Sequence, residues 1–316
     1  MLLDRWKGGA FPLAFGLLMA VLAAVPFFAG LFYQTFLTEI LVWALFAISF
    51  DLIFGYTGLL SFGQALFFGL GGYAVAIPVL KLGLGTGAGL LLSVAVPAVF
   101  AAFVGFFSVR LTGIHFVIIT IIFALIGSTV GETWTSLTGG ADGLVFMAPP
   151  LDLGVAKLDF MDIRTTYYLV LAVVALSYLF LRRMVRSPLG KVLVAIRENE
   201  ERARLIGYDV RRYKLLAFVI AGGLSGLAGG LYSLSLKYAS ATFLHWSVSG
   251  HAVVYTIVGG AGTLLGPVIG AGLIMSLEHY LVKLLQATDL VVGAVLVSTL
   301  LLAPRGIVGF LRGRRK

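Results

Sequence analysis

The sequence contains no cysteine. Disulfides, thiolate nucleophiles and cysteine-based metal sites are therefore excluded. Charged residues are also scarce: they make up 12% of the 316 residues, whereas 60% are hydrophobic and 40 are glycine. Because soluble globular domains carry about 25% charged residues, this composition points away from an ordinary soluble domain.

Motifs for catalysis are missing as well. The sequence has no G-x-x-x-x-G-K-[ST] phosphate-binding loop, since Gly190-Lys191 is followed by Val192. It also has no Ser/His/Asp arrangement and no cluster with metal-ligand spacing. We therefore expect no catalytic residues, no metal and no cofactor. If transport by this chain is driven by ATP, the hydrolysis must take place in a partner.

Long apolar runs dominate what is present. A membrane-spanning helix needs about 20 predominantly apolar residues, and the runs predict one all-α, polytopic integral membrane domain over residues 1–316. We expect about ten spans, some of them short or broken; eight spans with re-entrant pieces is the alternative. The predicted spans lie at about 10–31, 34–54, a third ending near Lys81, 87–109, 113–131, 165–183, 214–235, 247–262, 265–285 and 288–303.

The distribution of charge predicts which way the chain faces. Of the 23 basic residues, 17 lie in three segments: two near the N-terminus, ten from Arg182 to Lys214 and five from Arg305 onward. Cytoplasmic loops of membrane proteins are enriched in Lys and Arg, so both termini and residues 187–213 are expected in the cytoplasm. The 132–164 loop, with five acidic and two basic residues, is expected outside. Because the basic residues adjoin apolar spans, the net charge of +9 indicates contact with membrane lipid and not with nucleic acid.

The 187–213 segment is the one long stretch that lipid cannot bury. Ser187-Pro188 is a good helix start, Asn199 is a plausible second cap, Gly207 a plausible helix end, and Asp209 a cap for the next element. We therefore expect two short amphipathic helices, either lying on anionic headgroups or docking a soluble subunit. The acidic pair Glu200–Glu201 favours docking, because lipid binding requires cations.

A family resemblance enters at this segment. Glu201-Arg202-Ala203, three residues and then Gly207 is similar to the Glu-Ala-Ala-x-x-x-Gly motif of ABC-importer permeases. Further stretches occur in the order found in branched-chain amino acid ABC importer permeases of the LivM type: GYTGLLSFGQALFFGLGGY (55–73), LTGGADGL (137–144), SPLGKVLVAIRENEERARLIGYDVRRYKLLAF (187–218), GGLSGLAGGLY (222–232), VGGAGTLLGPVIGA (258–271) and APRGIVG (303–309). The chain resembles this family from about residue 39 to 309.

The resemblance implies an assembly and a place. It implies a second homologous permease, two cytoplasmic ABC ATPases and a periplasmic or lipid-anchored solute-binding protein, in the (inner) membrane of a bacterium or archaeon. It also implies import by alternating access, with the 187–213 segment coupling the ATPases to the spans. The residues expected to carry this coupling are Arg197, Glu200, Glu201, Ala203, Gly207 and Asp209.

Two glycine-rich stretches echo each other and are candidates for the substrate pathway. GYTGLLSFGQ (55–64) and GGAGTLLGPV (259–268) each carry glycines and a Leu-Leu pair between apolar runs. Transporters often bind substrate at broken helices near the interface of such repeats, whereas close helix packing through small residues is the alternative. The candidate pathway residues are Asp51, Ser61, Gln64, Gly259, Gly260 and Gly262.

The 137–144 motif suggests either a tight turn alone or a contact with the binding protein through Thr138, Gly140 and Asp142, with Asp142 capping the turn.

The sequence also departs from the family pattern: Asp51 replaces a usual Asn, His115 a usual Tyr, and Leu125 a frequent Glu or Gln. Because relatives with this body plan carry urea, short amides or aromatic acids, such solutes remain alternatives. Glu278, beside His279, is a further ionisable residue in a span. A secondary transporter or channel that needs no ATPase, and a membrane scaffold, are the alternatives from other classes.

Overall fold

A computed structural model describes residues 10–152, 157–285, 293, 296–299, 301 and 306–313. The fold is a helical bundle, and its strands are two-residue segments in loops: β1 Leu144–Val145, β2 Leu151–Asp152, β3 Lys157–Leu158 and β4 Tyr238–Ala239. The helices are α1 Ala10–Phe28, α2 Leu31–Asp51, α3 Gln64–Leu82, α4 Thr86–Ser108, α5 Ile114–Thr133, α6 Thr135–Thr138, α7 Ile163–Arg186, α8 Pro188–Glu198, α9 Glu200–Leu205, α10 Val210–Leu236, α11 Trp246–Gly259, α12 Leu265–Leu285 and a C-terminal helix, Gly306–Gly313.

Among the described residues, six helices are long and apolar enough to cross a membrane: α2 with its extension to Tyr56, α3, α4, α5, α7 and α10. The predicted all-α, polytopic membrane fold is confirmed. The count of ten spans is not. With 14 residues, α11 is about 21 Å long, too short to cross alone a hydrocarbon layer of about 30 Å. The predicted span at 288–303 lies mostly outside the described residues.

Glycine allows α10 to lie at the centre of the bundle, against α2, α3 and α4. A methyl group added to Gly71 of α3 would overlap the carbonyl oxygen of Gly226 in α10. One added to Gly229 would overlap the carbonyl oxygen of Phe68. The GGLSGLAGGLY stretch therefore brings helix backbones into direct contact, as small residues do in membrane bundles.

At the edge of the bundle, α1 is held to α7 by two tyrosine hydroxyl groups. Tyr167 donates to the carbonyl oxygen of Leu22 at 2.7 Å, and Tyr168 donates to that of Ala23 at 2.9 Å. α1 contains Pro26, which has no N–H to offer to the carbonyl four residues before it. That carbonyl belongs to Leu22, so the Tyr167 hydroxyl replaces the missing helical donor.

The predicted 132–164 loop is compact where it is described. It contains α6, a 3-10 turn at Gly140–Asp142 and the three short strands β1, β2 and β3. β2 pairs with β3, whereas β1 pairs antiparallel with β4, which follows α10. This pairing places the loop and the C-terminal end of α10 at the same end of the bundle.

Candidate translocation site and coupling segment

The first glycine-rich stretch forms a break between α2 and α3. α2 widens into one π-helical turn, Leu52–Tyr56, and residues 58–63 are non-helical before α3 begins. Ser249 of α11 lies in this break: its hydroxyl accepts the N–H of Ala65 at 2.8 Å and donates to the carbonyl of Phe62 at 2.7 Å. A side chain from another helix therefore satisfies backbone groups that a helix end leaves unpaired.

Two candidate pathway residues in this break, Ser61 and Gln64, are fully buried. The Ser61 hydroxyl accepts the N–H of Gly63 at 3.2 Å. The amide oxygen of Gln64 accepts a hydrogen bond from Ser225 of α10 at 2.7 Å, and the Ser225 hydroxyl lies 2.8 Å from that of Ser49. The Gln64 amide nitrogen has no hydrogen-bond partner in the described part of the chain. The Gln64 side chain thus faces α10 in the interior of the bundle, whereas the Ser61 hydroxyl bonds within the break.

The second glycine-rich stretch forms the junction between α11 and α12, at residues 260–264. Gly260 has a φ of +118° and Gly262 a φ of +74°, in the left-handed half of conformational space that favours glycine. At Gly259 the requirement is different: a methyl group there would overlap the carbonyl oxygen of Gly266. The sharp turn and the close approach together account for the glycines of this stretch.

Asp51 joins the two breaks. Its side chain is fully buried, and its two carboxylate oxygens accept the N–H groups of Gly262 at 2.7 Å and Leu264 at 3.2 Å. Gly55 packs against this bond, since a methyl group at Gly55 would overlap both the Asp51 carboxylate and the Gly262 nitrogen. The two stretches that echo each other in sequence therefore meet in the structure.

Arg197, near the end of α8, reaches the same point. Its guanidinium group donates to the carbonyl oxygen of Gly55. In a continued α-helix that oxygen would accept the N–H of Leu59, but the Leu59 N–H bonds to the carbonyl of Ile53 instead. The structure thus brings together Arg197, expected to serve ATPase coupling, and Asp51, expected in the pathway.

The coupling segment, residues 187–213, forms the two predicted short helices, α8 and α9. The side chains of Asn199 and Asp209 accept the backbone N–H three residues further on, at 2.8 and 3.2 Å. Gly207 has a φ of +102° and follows the end of α9. The predicted helix starts at Pro188 and Asn199, the end at Gly207 and the cap at Asp209 all lie where the pattern indicates.

A small apolar core and one ion pair fix this segment to α10. Val192, Ile196, Ala203 and Val210 form a separate buried cluster. Beside it the Lys214 ammonium group, on a side chain that is 3% exposed, lies 2.5 Å from the Glu200 carboxylate. Glu200 and Ala203, both expected to face an ATPase, therefore hold the segment together. Sequence reasoning missed Lys214, because its partner lies on a different helix.

The outward end of the segment presents other residues. Glu201, Arg202 and Gly207 are exposed, and Leu205 and Ile206 are 87% and 69% exposed. These two apolar side chains stand among charged ones, and exposed apolar surface rimmed by polar residues marks contact with a protein or with a membrane. The sequence signal that could have indicated Leu205 and Ile206 is an apolar pair inside a charged stretch.

The 137–144 motif forms a tight turn on the loop. Gly139, Gly140 and Gly143 have positive φ values of +77°, +64° and +70°. The side chain that accepts a backbone N–H here is Thr138, from Gly140 at 3.2 Å, and not the predicted cap, Asp142. The Asp142 side chain is exposed, and its backbone carbonyl accepts a hydrogen bond from Tyr238 at 2.9 Å. The Thr138 hydroxyl, which also lies 2.7 Å from the carbonyl oxygens of Gly131 and Trp134, is held in place to accept this N–H.

The remaining unusual positions lie elsewhere in the bundle. His115 is exposed in the first turn of α5, and Leu125 is 41% exposed on the same helix. Glu278 is half-buried on α12. The ring of its neighbour His279 lies 5.0 Å from the rings of Phe32 and Phe36, so this part of α12 packs on the start of α2.

Comparison with known proteins gives several relatives across the length of the chain. It is 26% identical to the high-affinity branched-chain amino acid transport system permease protein LivM of Salmonella typhimurium, over 95% of this chain and 75% of the relative. It is 25% identical to LivM of Escherichia coli, with the same coverage. Its identity to the E. coli permease protein LivH is 26%, over 84% of this chain and 91% of that protein. No solved structure matches.

A family profile matches residues 32–300, and the family is described as the permease component of the branched-chain amino acid transport system. The match includes both glycine-rich junctions, the loop and the coupling segment. The chain therefore belongs to the branched-chain amino acid transport system permease family.

Proposed function

We propose that this chain is the membrane permease subunit of an ATP-driven ABC importer for branched-chain amino acids or related small polar solutes. It pairs with a second homologous permease, and two cytoplasmic ATPases and a periplasmic or lipid-anchored solute-binding protein complete the assembly. The permease itself supplies the pathway and opens it alternately to the two sides of the membrane.

The geometry of the coupling segment carries this proposal. Its buried cluster and its Lys214–Glu200 ion pair support movement as one body with the start of α10. At the end of α9, Leu205 and Ile206 are exposed, as are Glu201 and Arg202 at its start. An apolar pair that is exposed on a rigid support suits insertion into a groove of a soluble ATPase.

We assign the α2–α3 break and the α11–α12 junction, together the two glycine junctions, to the part of the pathway that moves. Ser61, Gln64 and Asp51 are buried and hydrogen-bonded inside the protein: Ser61 within the break, Gln64 to α10 and Asp51 to the α11–α12 junction. This favours a role in shaping the pathway wall over direct contact with the solute. Gly259, Gly260 and Gly262 supply the close contact and the turn that let α11 and α12 pivot there. Junctions of this kind absorb the backbone changes of a conformational step.

The same proposal covers orientation. The coupling segment contacts the break beside Gly55, whereas the β1–β4 pairing lies at the far end of α10. With the coupling segment in the cytoplasm, ten crossings that include α11 as a broken span place both termini there too, in a bacterial or archaeal (inner) membrane. The turn at Thr138, Gly140 and Asp142 then lies on the side of the binding protein, with Asp142 exposed and with Thr138 and Gly140 buried beneath it.

The test is co-purification of a tagged chain from its native membrane, followed by reconstituted uptake. We expect an ABC ATPase and a solute-binding protein to co-purify, and the solute bound to the latter identifies the substrate. Leu205→Glu and Glu201→Lys should each lose the ATPase while the chain still inserts. Gly207→Pro should do the same, since proline fixes φ near −65° and Gly207 needs +102°.

Met147→Glu is the control, because Met147 is 78% exposed but lies in the loop at the opposite end of the bundle. It should keep the ATPase. The proposal fails if the purified chain alone drives ion-coupled uptake into liposomes, or if all three coupling variants retain both the ATPase and uptake.

A further inference from the structure

We propose that Arg197 and Asp51 are positioning residues that form a latch between the coupling segment and both glycine junctions, so that movement of the segment displaces the two junctions together. The inference rests on the proposed function, and it adds a route by which docking at the segment reaches the pathway. The route needs three connections, and each is visible as a contact.

The first connection makes the segment rigid. α8 and α9 share the buried cluster of Val192, Ile196 and Ala203 with Val210 of α10. The Lys214–Glu200 pair ties the first turn of α9 to α10. A force on the exposed end of α9 is therefore delivered to α8, because packed side chains resist relative sliding.

The second connection runs from α8 to the break between α2 and α3. Arg197 donates to the Gly55 carbonyl, a group released by the π-helical turn. The aliphatic part of the same side chain covers Gly58: a methyl group on Gly58 would lie 2.9 Å from Arg197 Cγ. Arg197 thus contacts the break at two points: its guanidinium group makes a charged hydrogen bond to Gly55, and its aliphatic stem packs on Gly58.

The third connection runs from this break to the junction between α11 and α12. Asp51 accepts two N–H groups from that junction. Gly262 also approaches the latch directly, since a methyl group there would lie 3.0 Å from a guanidinium nitrogen of Arg197 and 2.9 Å from the Gly55 carbonyl oxygen. The Leu264 backbone, at a φ of +55°, is held in a costly conformation by the same carboxylate.

These contacts make Arg197 a side chain of the coupling segment that touches both the α2–α3 break and the α11–α12 junction. Its guanidinium group packs against Gly262, the same residue whose N–H donates to the buried Asp51 carboxylate. Arg197 is itself exposed, but its guanidinium and stem contacts are made to the two junctions and not to Leu205 or Ile206. Loss of Arg197 should therefore leave the Leu205–Ile206 docking surface intact. Docking would then no longer move the pathway.

The first experiment uses the reconstituted complete transporter and measures ATPase co-purification, ATP hydrolysis and solute moved per ATP. Arg197→Met should keep the first two and lower the third by about tenfold, within the usual range of coupling free energies. Arg197→Lys, which keeps a donor, should recover part of the loss. Lys191→Met is the matched control, since it removes an exposed cation from the same helix and should change none of the three.

The second experiment replaces the latch by a covalent bond. A Cβ atom built on Gly58 lies 3.4 Å from Arg197 Cβ, near the spacing of about 3.5–4.5 Å found in disulfides, and the sequence has no other cysteine. Gly58→Cys with Arg197→Cys should form a disulfide on oxidation and regain solute movement per ATP, which reduction should abolish. Arg197→Cys alone should be uncoupled under both conditions.

Each outcome decides the question. The latch is refuted if Arg197→Met moves solute at the normal ratio, or if it loses ATPase binding and transport in parallel. It is also refuted if the disulfide forms without rescue. Should the unaltered chain bind no ATPase at all, the proposed function fails as well, whereas normal coupling in the unaltered chain and in Arg197→Met removes the latch alone.

Discussion

Pro26 leaves the carbonyl group of Leu22 without its helical donor, and the Tyr167 hydroxyl of α7 takes that place at 2.7 Å. The Tyr167 side chain is fully buried. A buried carbonyl that loses its only partner costs about 1–3 kcal/mol. The neighbouring bond differs, because Ala23 keeps a possible helical donor in Phe27 as well as the Tyr168 hydroxyl.

We therefore expect Tyr167→Phe to lower the stability of the purified protein by about 1–3 kcal/mol, and Tyr168→Phe to lower it less. Thermal denaturation in detergent measures both. In a Pro26→Ala background, where residue 26 again has an N–H for Leu22, Tyr167→Phe should cost little. An equal cost in both backgrounds would show that the hydroxyl does not replace the helical bond.

Because Glu200 pairs with Lys214, we expect substitution of Glu200 to lower thermal stability and substitution of its neighbour Glu201 to leave it unchanged. Glu200→Gln leaves the Lys214 ammonium, on a side chain 3% exposed, without its carboxylate. Removing one member of a buried pair costs about 3–5 kcal/mol, and the partial exposure of Glu200 places the expected loss of stability at the lower end. Glu201→Gln, on an exposed residue, should leave thermal stability unchanged. Similar melting curves for the two variants would contradict this assignment.

At the scale of elements, α10 depends on glycine for its position between α3 and α4. A methyl group on Gly226 would overlap Pro97 and the Ser93 carbonyl, whereas one on Gly223 would meet Val94 at 3.4 Å, an ordinary contact. The two positions lie three residues apart on one helix, so they form a matched pair.

Gly226→Ala should push α10 away from α4 and reduce both the yield of folded protein and its melting temperature. Gly223→Ala should be tolerated or slightly stabilising, since alanine favours a helix over glycine by about 1 kcal/mol. Size-exclusion chromatography after graded heating measures the two. The packing described for α10 would be wrong if Gly223→Ala were the more damaging change.

Local signals were sufficient to predict the elements of the coupling segment. These signals act over at most three residues, and each lies where the pattern indicated: proline at the first position of α8, Asn199 and Asp209 as caps, and Gly207 beyond α9. The roles of the side chains were less predictable. Glu200 and Ala203 face the bundle because their partners lie on other helices: Glu200 pairs with Lys214 of α10, and Ala203 packs in the small apolar core with residues of α8 and α10.

The contacts that join the two junctions could not be derived from the sequence. Arg197 and Gly55 are 142 positions apart, and Asp51 and Gly262 are 211 apart. The echo between the two glycine-rich stretches indicated that they were related, but not that they touch. Helix propensity and hydropathy carry no information on which distant backbone group a buried carboxylate binds.

At the scale of the whole molecule, the proposed orientation predicts opposite exposure of two sites. The absence of native cysteine makes any introduced thiol unique. Asp142→Cys, on the exposed turn, should react with a membrane-impermeant maleimide added to intact cells. Arg211→Cys, at an exposed position within the coupling segment, should react only after permeabilisation. Labelling of Arg211→Cys in intact cells would invert the topology.

The hydroxyl bonds between α1 and α7 also bear on how the chain is made. A growing chain releases α1 into the membrane long before α7 exists, since 145 residues separate Leu22 from Tyr167. During that interval the Leu22 carbonyl has no helical donor, and lipid offers none. α1 therefore lacks this bond until α7 arrives. We expect biogenesis to hold α1 nearby, beside the insertion machinery or water, while the 145 residues between the two partners are synthesised.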